Sequence, residues 1–498
     1  MKMRTGFRYG VILILGCVSF LSHAEAGEWA IVGPRALGMG GANVAVANDA
    51  TASYWNPGAF GFFSDPTGGD YGKRDWSTQF GVGVGAQIHE NLGEELNKIA
   101  EFDFSVLSGG QISAAEVSNF IQLVDALKSF DANKNRAATI LVNGGSRVQI
   151  GHFGIGGYLF GAVSAKGDID LVNISPVSTG ATFTIDDFTN PANFGCPSPC
   201  NTDTPGGLDS AQRAELNSSL VGPGGLGWTQ TQADNFINAV DNGFAQSGVP
   251  PPADIVTSIE SVTSLANTAA GAGGGGSFSN NQSRLLFKGI AIGEIPLTYG
   301  RAITEDFAIG GNIKYMKARV YDISVPIFDT EFGDALDSAT DTYVEKQNFG
   351  IDLGLLYRFG DDLRMGLVGR NLNSPKFDVF KEKPQVRAGF AYKPLSFVTL
   401  AADIDLTKNE TTVGSDFGSR NLGGGVELNL LRIIQLRGGA YKNLAEDDIG
   451  LVYTAGIGLN LWLINLDIGA SMASESSKVD DKDIPKEARA EFALSMLF

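Results

Sequence analysis

The sequence predicts an all-β fold, specifically a transmembrane antiparallel β-barrel of about 14 strands. The first observation is the alternation of apolar and polar residues from Ala488 to Phe498, which is typical of a strand with one face toward lipid. The second is an alternation of short and long connections between predicted strands. The third is that 43% of the residues are hydrophobic, yet the secreted chain has no run of about 18 apolar residues. In lipid, only helices and closed barrels satisfy every backbone polar group, so a barrel is favoured.

The first 26 residues have the features of a secretory signal peptide. Three basic residues precede an apolar core at residues 11–21, and an A-x-A cleavage site ends at Ala26. Residues 14–17 loosely resemble a lipoprotein cleavage box, but the apolar run before them is short, which favours cleavage after Ala26. The mature chain is therefore expected to begin at Gly27 and to leave the cytoplasm.

The mature chain is strongly acidic. Removal of Lys2, Arg4, Arg8 and Glu25 with the signal peptide changes the formal net charge from −18 to −20. Contacts with phosphate need patches of Lys and Arg, so this balance argues against nucleic acid as a partner. It also gives no support for binding to an anionic membrane surface from the cytoplasm.

Patterns of alternating polarity predict the strands, and the connections between them sort by length. The strands are predicted near residues 76–89, 137–150, 153–167, 285–302, 306–322, 346–359, 362–372, 384–393, 396–406, 420–429, 432–442, 449–460, 463–473 and 488–498. Short turns alternate with longer loops along this series, as they do in a membrane barrel with short periplasmic turns. A soluble β-sandwich has no reason to sort its loops in this way, so a soluble secreted protein is the less favoured alternative.

The faces of the predicted strands agree with an apolar outside and a polar lumen. Near residues 349–353, Phe349, Ile351 and Leu353 point one way and Asp352 points the other. Aromatic residues gather beside the short turns, as in an interfacial girdle. They are Tyr299, Phe307, Tyr357, Phe359, Tyr392, Phe397, Trp462 and Phe498.

The two longest connections, residues 90–136 and 168–284, are predicted to be helical extracellular insertions. Residues 112–130 carry apolar side chains at helical spacing, and further helices are predicted near 209–220, 230–246 and 253–268. Such stripes favour helices that pack on one another over helices that form a ligand groove.

The second insertion holds the two cysteines of the mature chain, Cys196 and Cys200, in the run C-P-S-P-C. Outside the cytoplasm, a close pair in a proline-rich loop predicts a local disulfide. A zinc site would need further ligands, and the mature chain has only two histidines, His89 and His152. No metal site or cofactor is therefore predicted.

The sequence does not predict an enzyme. A Ser/His/Asp arrangement would have to use His89 or His152, both near predicted strand ends. Neither a G-x-S-x-G elbow nor an H-E-x-x-H helix is present. Residues 131–135 begin like a calcium loop, but Arg136 replaces the glycine and Val142 stands where the bidentate glutamate belongs.

A glycine-rich motif lies between the signal peptide and the first predicted strand. Residues 37–42 read L-G-M-G-G-A, followed by N-D-A at 48–50 and the tight turn N-P-G at 56–58. These residues resemble the start of the FadL-like outer-membrane transport superfamily, most closely its conjugal-transfer TraF-type branch. The resemblance implies a fourteen-stranded barrel whose lumen is plugged by an amino-terminal hatch.

The resemblance also implies a domain organisation and a gate. The signal peptide would occupy residues 1–26, the hatch 27–75, and the barrel 76–498 with its two insertions. The gate residues implied by the motif are Gly38, Met39, Gly40, Gly41, Asn56 and Pro57. Gly58 stands where the hatch turn of this superfamily usually has alanine, which is a departure from the pattern.

Charged residues on the predicted lumen face allow two interpretations. The candidate ligand-binding cations are Arg358, Arg364, Arg370, Arg387 and Arg489. They would hold the carboxylate of an amphipathic ligand. Alternatively they form salt bridges with lumen carboxylates such as Asp352, Asp403 and Asp405, because a plugged barrel must satisfy its interior polar groups. The second interpretation is favoured.

The sequence thus predicts an outer-membrane channel for passive uptake of hydrophobic or amphipathic small molecules, such as long-chain fatty acids or hydrocarbons, gated by the hatch. The alternative is a barrel component or scaffold of a conjugation or secretion apparatus, with an envelope-assembly protein as its partner. In both cases we expect a monomer in contact with outer-membrane lipid and lipopolysaccharide, with both termini periplasmic. A fold of this kind does not by itself identify the cargo.

Overall fold

The computed structural model describes the barrel and the segment that precedes it. The described residues are 28–63, 76–90, 127, 137–170, 207–222, 227–247, 251, 255–256, 259–260, 281–326, 343–377, 380–411, 414–431, 433–461, 463–479 and 482–497. The predicted signal peptide, the predicted Cys196–Cys200 disulfide and Phe498 lie outside them. Most residues of the predicted helices at 112–130 and 253–268 also lie outside the described residues.

In the part of the chain that the structure describes, fourteen antiparallel strands form a closed barrel. They are β1 (Trp76–His89), β2 (Ala137–Ile150), β3 (Phe153–Asp168), β4 (Arg284–Ala302), β5 (Phe307–Pro326), β6 (Val344–Phe359), β7 (Leu363–Arg370), β8 (Gln385–Leu395), β9 (Val398–Asp405), β10 (Asn421–Leu430), β11 (Ile434–Asn443), β12 (Leu451–Leu461), β13 (Ile464–Ala473) and β14 (Glu487–Leu497). The last strand pairs with the first and closes the barrel. The predicted barrel is confirmed, and each predicted strand lies within a few residues of an observed one.

The connections between the strands sort onto two rims, as predicted. The short-turn rim carries the connections at residues 151–152, 303–306, 360–362, 396–397, 431–433 and 462–463. The long-loop rim carries the longer connections, including both insertions. One boundary differs from the prediction, because β8 continues through Pro394 to Leu395 where a turn was expected.

The outer surface of the barrel is apolar. Along β6, Phe349, Ile351 and Leu353 are exposed on the outside, whereas Asp352 is buried in the lumen. On the neighbouring strand Ile313 is 64% exposed. Of the predicted girdle, the exposed members beside the short-turn rim are Tyr299, Tyr357, Phe359, Tyr392 and Phe397. A closed barrel with this surface places its apolar residues against lipid and its polar residues inside.

The largest apolar core of the described residues lies within the barrel and is built around residues 28–63, here called the inner segment. This segment contains α1 (Pro34–Gly38), α2 (Ala52–Trp55) and a 3₁₀ helix (Pro57–Phe62). Trp29, Leu37 and Trp55 are fully buried, and they pack with wall residues such as Leu356 and Val368. The inner segment therefore occupies the lumen and provides the barrel with its core.

Three small hairpins lie among the long-loop connections, where the sequence predicted loops. They pair Lys376–Phe377 with Phe380–Lys381, Asn409–Thr411 with Gly414–Ser419, and Ser476–Val479 with Lys482–Pro485. Strands of two to six residues are too short to display a period of two, so the prediction missed them.

Two helices of the second insertion are described, and both were predicted. They are α3 (Ser210–Leu220) and α4 (Gln230–Ser247). Asp209 caps α3, because its side chain accepts hydrogen bonds from the backbone N–H groups of Ala211 and Gln212. No helix among the described residues is both long enough and apolar enough to span a membrane.

Candidate functional site

The glycine motif of the inner segment packs directly on the backbone of the barrel wall. Gly38, Met39, Gly40 and Gly41 are all buried. A Cβ atom on Gly40, whose φ is +68°, would lie 2.4 Å from the carbonyl oxygen of Ala440. On the wall side, a Cβ atom on Gly423 would lie 1.8 Å from the carbonyl oxygen of Gly40. Glycine on both partners is therefore what permits this contact.

The Asn-Pro turn docks on another part of the wall. Asn56 is fully buried, and its Nδ2 donates to the carbonyl oxygens of Val44, at 3.2 Å, and Leu355, at 3.0 Å. Its Oδ1 accepts from the N–H of Gly58 at 3.0 Å and so caps the 3₁₀ helix that Pro57 begins. A Cβ atom on Gly58 would lie 2.9 Å from the carbonyl oxygen of Gly354, which explains why alanine is absent here.

Wall carboxylates accept hydrogen bonds from backbone N–H groups of the inner segment. Asp403 Oδ2 accepts from the N–H groups of Asn43 and Val44 at 2.8 and 2.9 Å. Glu491 Oε2 accepts from the N–H of Gly33 at 3.3 Å. These carboxylates satisfy donors that have no helical partner inside the lumen.

A further ion pair joins the inner segment to β10, the strand next to the one that carries Asp403. Arg35 binds Glu427 in bidentate fashion, at 2.9 Å from Nε and 2.6 Å from Nη2. Burial disfavours the charged guanidinium, but the attraction of Glu427 raises the pKa of Arg35 above its ordinary value. The same carboxylate binds Arg437 of β11 at 2.8 Å, so the charge of Glu427 is shared between two cations.

Three of the predicted lumen arginines lie next to carboxylates. Arg370 Nη2 lies 3.1 Å from Glu294, and Arg387 Nε lies 2.6 Å from Asp405. Arg489 binds Glu28 of the inner segment at 2.8 Å and Glu487 at 2.7 Å. The guanidinium groups of Arg370 and Arg387 also lie over aromatic rings of the inner segment, at 4.0 Å from Tyr54 and 4.6 Å from Trp29.

The other two predicted arginines occupy different surroundings. Arg358 lies at the short-turn rim, where it donates to the carbonyl oxygen of Glu305 and stacks over Phe62 at 3.9 Å. Arg364 is buried on β7. The structure therefore does not bring the five predicted arginines together into one group.

An internal cavity of about 100 Å³ lies between the inner segment and the long-loop rim. Its apolar wall includes Phe160, Ile290, Ile292 and Phe380. Its polar wall includes Glu28, Glu294, Arg370, Asn371, Glu382 and Arg489. Tyr54 closes it on the side of the inner segment, and burial raises the pKa of the Tyr54 hydroxyl. We call this space the lumen cavity.

A buried charge cluster forms one side of the lumen cavity. Lys314 Nζ lies 3.2 Å from both Glu294 and Asp352 and donates to Asn371 Oδ1 at 2.8 Å. Asn371, which has a φ of +53°, donates from Nδ2 to Glu382 at 2.9 Å. Burial raises the pKa of Glu382 to about 7, and the nearby charge of Glu294 acts in the same direction.

Tyr158 of β3 lies below the lumen cavity, toward the short-turn rim. Its hydroxyl lies 2.6 Å from Ser53 Oγ, and because Ser53 donates to the carbonyl oxygen of Ala50, Tyr158 is the donor. Its ring stacks on Phe160 at 6.0 Å, with the guanidinium of Arg147 5.2 Å from its centroid. Tyr158 is thus held by the inner segment on one side and by the wall on the other.

The barrel wall is interrupted beside Tyr158. The pairing of β3 with β4 runs from Phe153 to Ile155 and resumes at Tyr158, so Gly156 and Gly157 have no ladder partners on β4. The opposing residues are Ile295 and Pro296, and proline has no N–H to donate. The hydrogen-bond ladder between β3 and β4 is therefore interrupted within the apolar band, although the barrel is closed.

The ring of Tyr158 covers this interruption of the ladder from inside. A Cβ atom built on Gly156 would lie 3.3 Å from Cε2 of Tyr158, whereas one on Gly157 would meet no atom within 4 Å. Gly156 faces the lumen and Gly157 faces outward. An aromatic side chain therefore lies on the lumen side of the interrupted ladder.

Sequence reasoning missed Tyr158, Glu294, Lys314 and Glu382. The period-two pattern of β3 to β5 places Tyr158, Glu294 and Lys314 on the lumen face, so that signal was available. Glu382 belongs to a long-loop connection without periodicity, and its position against β4 and β5 depends on how that loop folds into the lumen.

Residues 254–405 match the family described as "F plasmid transfer operon, TraF, protein". The chain is similar to the TraF family. The match runs from the second insertion to the end of β9, and it confirms the TraF-type resemblance, which rested on residues 37–58. No curated protein sequence matches the chain.

Three solved structures resemble the barrel. The toluene transporter TbuX of Ralstonia pickettii has a TM-score of 0.43 and 11% identity, covering 94% of this chain and 98% of its own. The toluene transporter TodX of Pseudomonas putida has a TM-score of 0.40 and 10% identity, covering 95% and 98%. A FadL homologue of Pseudomonas aeruginosa has a TM-score of 0.42 and 9% identity, covering 95% and 99%. Likeness at this level carries no argument about the chemistry of the present chain.

The anchoring of the inner segment by Asp403 leads to a prediction. Asp403→Ala leaves the N–H groups of Asn43 and Val44 without an acceptor, and each buried unsatisfied donor costs about 1–3 kcal/mol. We expect the variant to show frequent transient openings in single-channel recordings. Asp361→Ala, at an exposed turn of the short-turn rim, should behave as the parent. Equal recordings from both variants would contradict the anchoring role.

Proposed function

We propose that the protein is an outer-membrane channel through which hydrophobic or amphipathic small molecules diffuse, with the inner segment as its hatch. The observation that carries the proposal is the interruption between β3 and β4, covered from inside by Tyr158. Barrels with a solid wall pass solutes only along their axis, whereas an opening in the apolar band gives an apolar molecule a path into lipid.

The proposed route has two stages. A molecule enters the lumen cavity from the long-loop rim, which faces the outside in this proposal. Displacement of the Tyr158 ring and parting of β3 from β4 at Gly156 and Gly157 then form a wall opening that connects the lumen with lipid. Phe160 lines the lumen cavity and stacks on Tyr158, so the two sites are adjacent. The gate residues Gly38 to Gly41, Asn56 and Pro57 hold the inner segment in place while Tyr158 moves.

The size of the lumen cavity favours small cargo. It measures about 100 Å³, and an apolar cavity of about 150 Å³ is known to hold one benzene molecule. A single-ring molecule would fit with a small widening, whereas a long acyl chain would need a much larger rearrangement. We therefore favour compact hydrocarbons over long-chain fatty acids.

A second candidate function is a barrel scaffold in a conjugation or secretion apparatus. The match of residues 254–405 to the TraF family favours it. If the protein serves as such a scaffold, its deletion will lower the frequency of plasmid transfer between cells. A protein whose wall opening is held closed will then restore transfer fully, because a scaffold does not need the opening. If deletion instead abolishes hydrocarbon uptake and leaves the frequency of plasmid transfer unchanged, the scaffold function is excluded and the channel function is favoured.

A crosslink across the wall opening tests the route. Gly157→Cys with Ile295→Cys, in a chain carrying Cys196→Ser and Cys200→Ser, places two thiols on either side of the opening. A short cleavable bis-thiol crosslinker should abolish uptake of a single-ring hydrocarbon, and cleavage of the linker should restore it. The matched control is Ile155→Cys with Leu297→Cys, a regularly paired position that is already closed.

The crosslinked control should take up hydrocarbon at the parent rate. Uptake that continues unchanged through the crosslinked Gly157–Ile295 pair would show that cargo does not leave at this point. Crosslinking yield is measured on the same sample by mass spectrometry, so the uptake of the linked fraction is known.

Tyr158 variants test the closure itself. Tyr158→Phe removes a hydrogen bond worth about 0.5–1.5 kcal/mol, so the open state should gain about 2- to 10-fold in population. Tyr158→Ala removes the covering ring and should raise the uptake rate further. Uptake is measured in proteoliposomes, with the lipid-facing Tyr453→Ala as the control. Rates that are the same in all three variants would contradict a closing role for Tyr158.

A further inference from the structure

The described residues that line the lumen cavity include more acidic than basic side chains. Among the described residues that line it, Glu28 binds Arg489 at 2.8 Å and Glu294 binds Arg370 at 3.1 Å. Behind them, Lys314 is shared between Glu294 and Asp352. Within the described chain, no lysine or arginine nitrogen lies within ion-pair distance of the remaining lining carboxylate, Glu382. Among the described lining residues, three carboxylates therefore face two arginines.

Glu382 is fixed in position although it lies in a connection between strands. Its backbone N–H donates to the carbonyl oxygen of Pro375 at 2.9 Å, and its side chain accepts from Asn371 Nδ2 at 2.9 Å. The residue is 7% exposed. A buried carboxylate that meets a neutral amide instead of a cation can accept a further charge-assisted hydrogen bond.

The apolar wall of the lumen cavity faces this carboxylate. Ile290, Ile292 and Phe377 belong to one buried cluster, and Phe380, two residues before Glu382, packs against it. Phe160 completes the wall from β3. The cavity is thus lined both by an acidic acceptor and by an aromatic and aliphatic surface.

We propose that the lumen cavity selects small amphipathic molecules that carry a positive charge or a strong hydrogen-bond donor, of the class of aromatic amines, with Glu382 as the acceptor. The inference rests on the proposed channel function and names its cargo class. It differs from the less favoured sequence interpretation, in which lumen arginines hold a ligand carboxylate, because the two that line the lumen cavity, Arg370 and Arg489, already bind wall or hatch acids. A carboxylate ligand would have to displace one of those pairs, whereas an ammonium group displaces nothing.

The selection depends on pH. The groups that act on Glu382 are Glu294 on β4, Lys314 on β5 and Arg370 on β7, with Asn371 beside it. Asp352 on β6 lies behind them against Lys314. Burial, followed by repulsion from Glu294, raises the pKa of Glu382 to about 7, so the carboxylate is ionised above this pH and neutral below it. Amine binding should therefore weaken as pH falls through about 7, by up to about tenfold per pH unit.

Three matched single-ring probes test the proposal on the full-length barrel in detergent. Benzylamine, toluene and benzoate have nearly the same size and carry a positive, a zero and a negative charge. Calorimetry at pH 8 should give benzylamine at least tenfold tighter binding than toluene, with benzoate weakest. Glu382→Gln should reduce benzylamine binding about tenfold and leave toluene unchanged, whereas Glu305→Gln at an exposed turn should change neither.

The outcomes separate the two proposals. If toluene binds and benzylamine binds no more tightly, the cavity admits apolar cargo but Glu382 does not select it, and the inference fails alone. If no probe binds, the proposed channel function fails as well. Should Glu382→Gln fold poorly, the parent protein still decides, because a benzylamine affinity that stays constant between pH 8 and pH 6 would overturn the inference.

Discussion

Direct contact between two backbones is the constraint on which this structure depends. The inner segment approaches the wall so closely that Gly40 and Gly423 cannot both tolerate even a Cβ atom. A barrel of fourteen strands leaves a lumen too wide for its own side chains to fill, and here a second stretch of chain fills it. Glycines of the facing wall, such as Gly423 and Gly425, follow from this arrangement, because side chains there would exclude the segment.

The polar content of the lumen follows from the same constraint. A segment with short helices brings unpaired N–H groups into a space with little room for water, and Asp403 and Glu491 accept from them. Those carboxylates in turn lie among arginines of the wall. Most charged residues of this lumen are therefore explained by the packing of the inner segment against the wall. Glu382 does not follow this pattern, so packing alone does not explain why a carboxylate occupies its position.

The fold could be predicted from the sequence because strand faces and loop lengths are local properties. The alternation of apolar and polar residues and the series of short turns predicted the bounds of every barrel strand within a few residues. The lumen contacts could not be predicted, because strand order fixes which residues face inward but not which residues meet across the lumen. The predicted arginines illustrate the limit, since Arg358 and Arg387 both face inward yet lie at different heights and bind different partners.

The wall glycines also govern what would happen if the inner segment withdrew completely. The exposed groove would consist of bare peptide groups, which hydrate readily, and the lumen would become a water-filled pore open to any small solute. Such a pore would breach the permeability barrier that the outer membrane provides against toxic compounds. The channel proposed above avoids this cost, because only the ring of Tyr158 and its surroundings move while the rest of the segment stays in its groove.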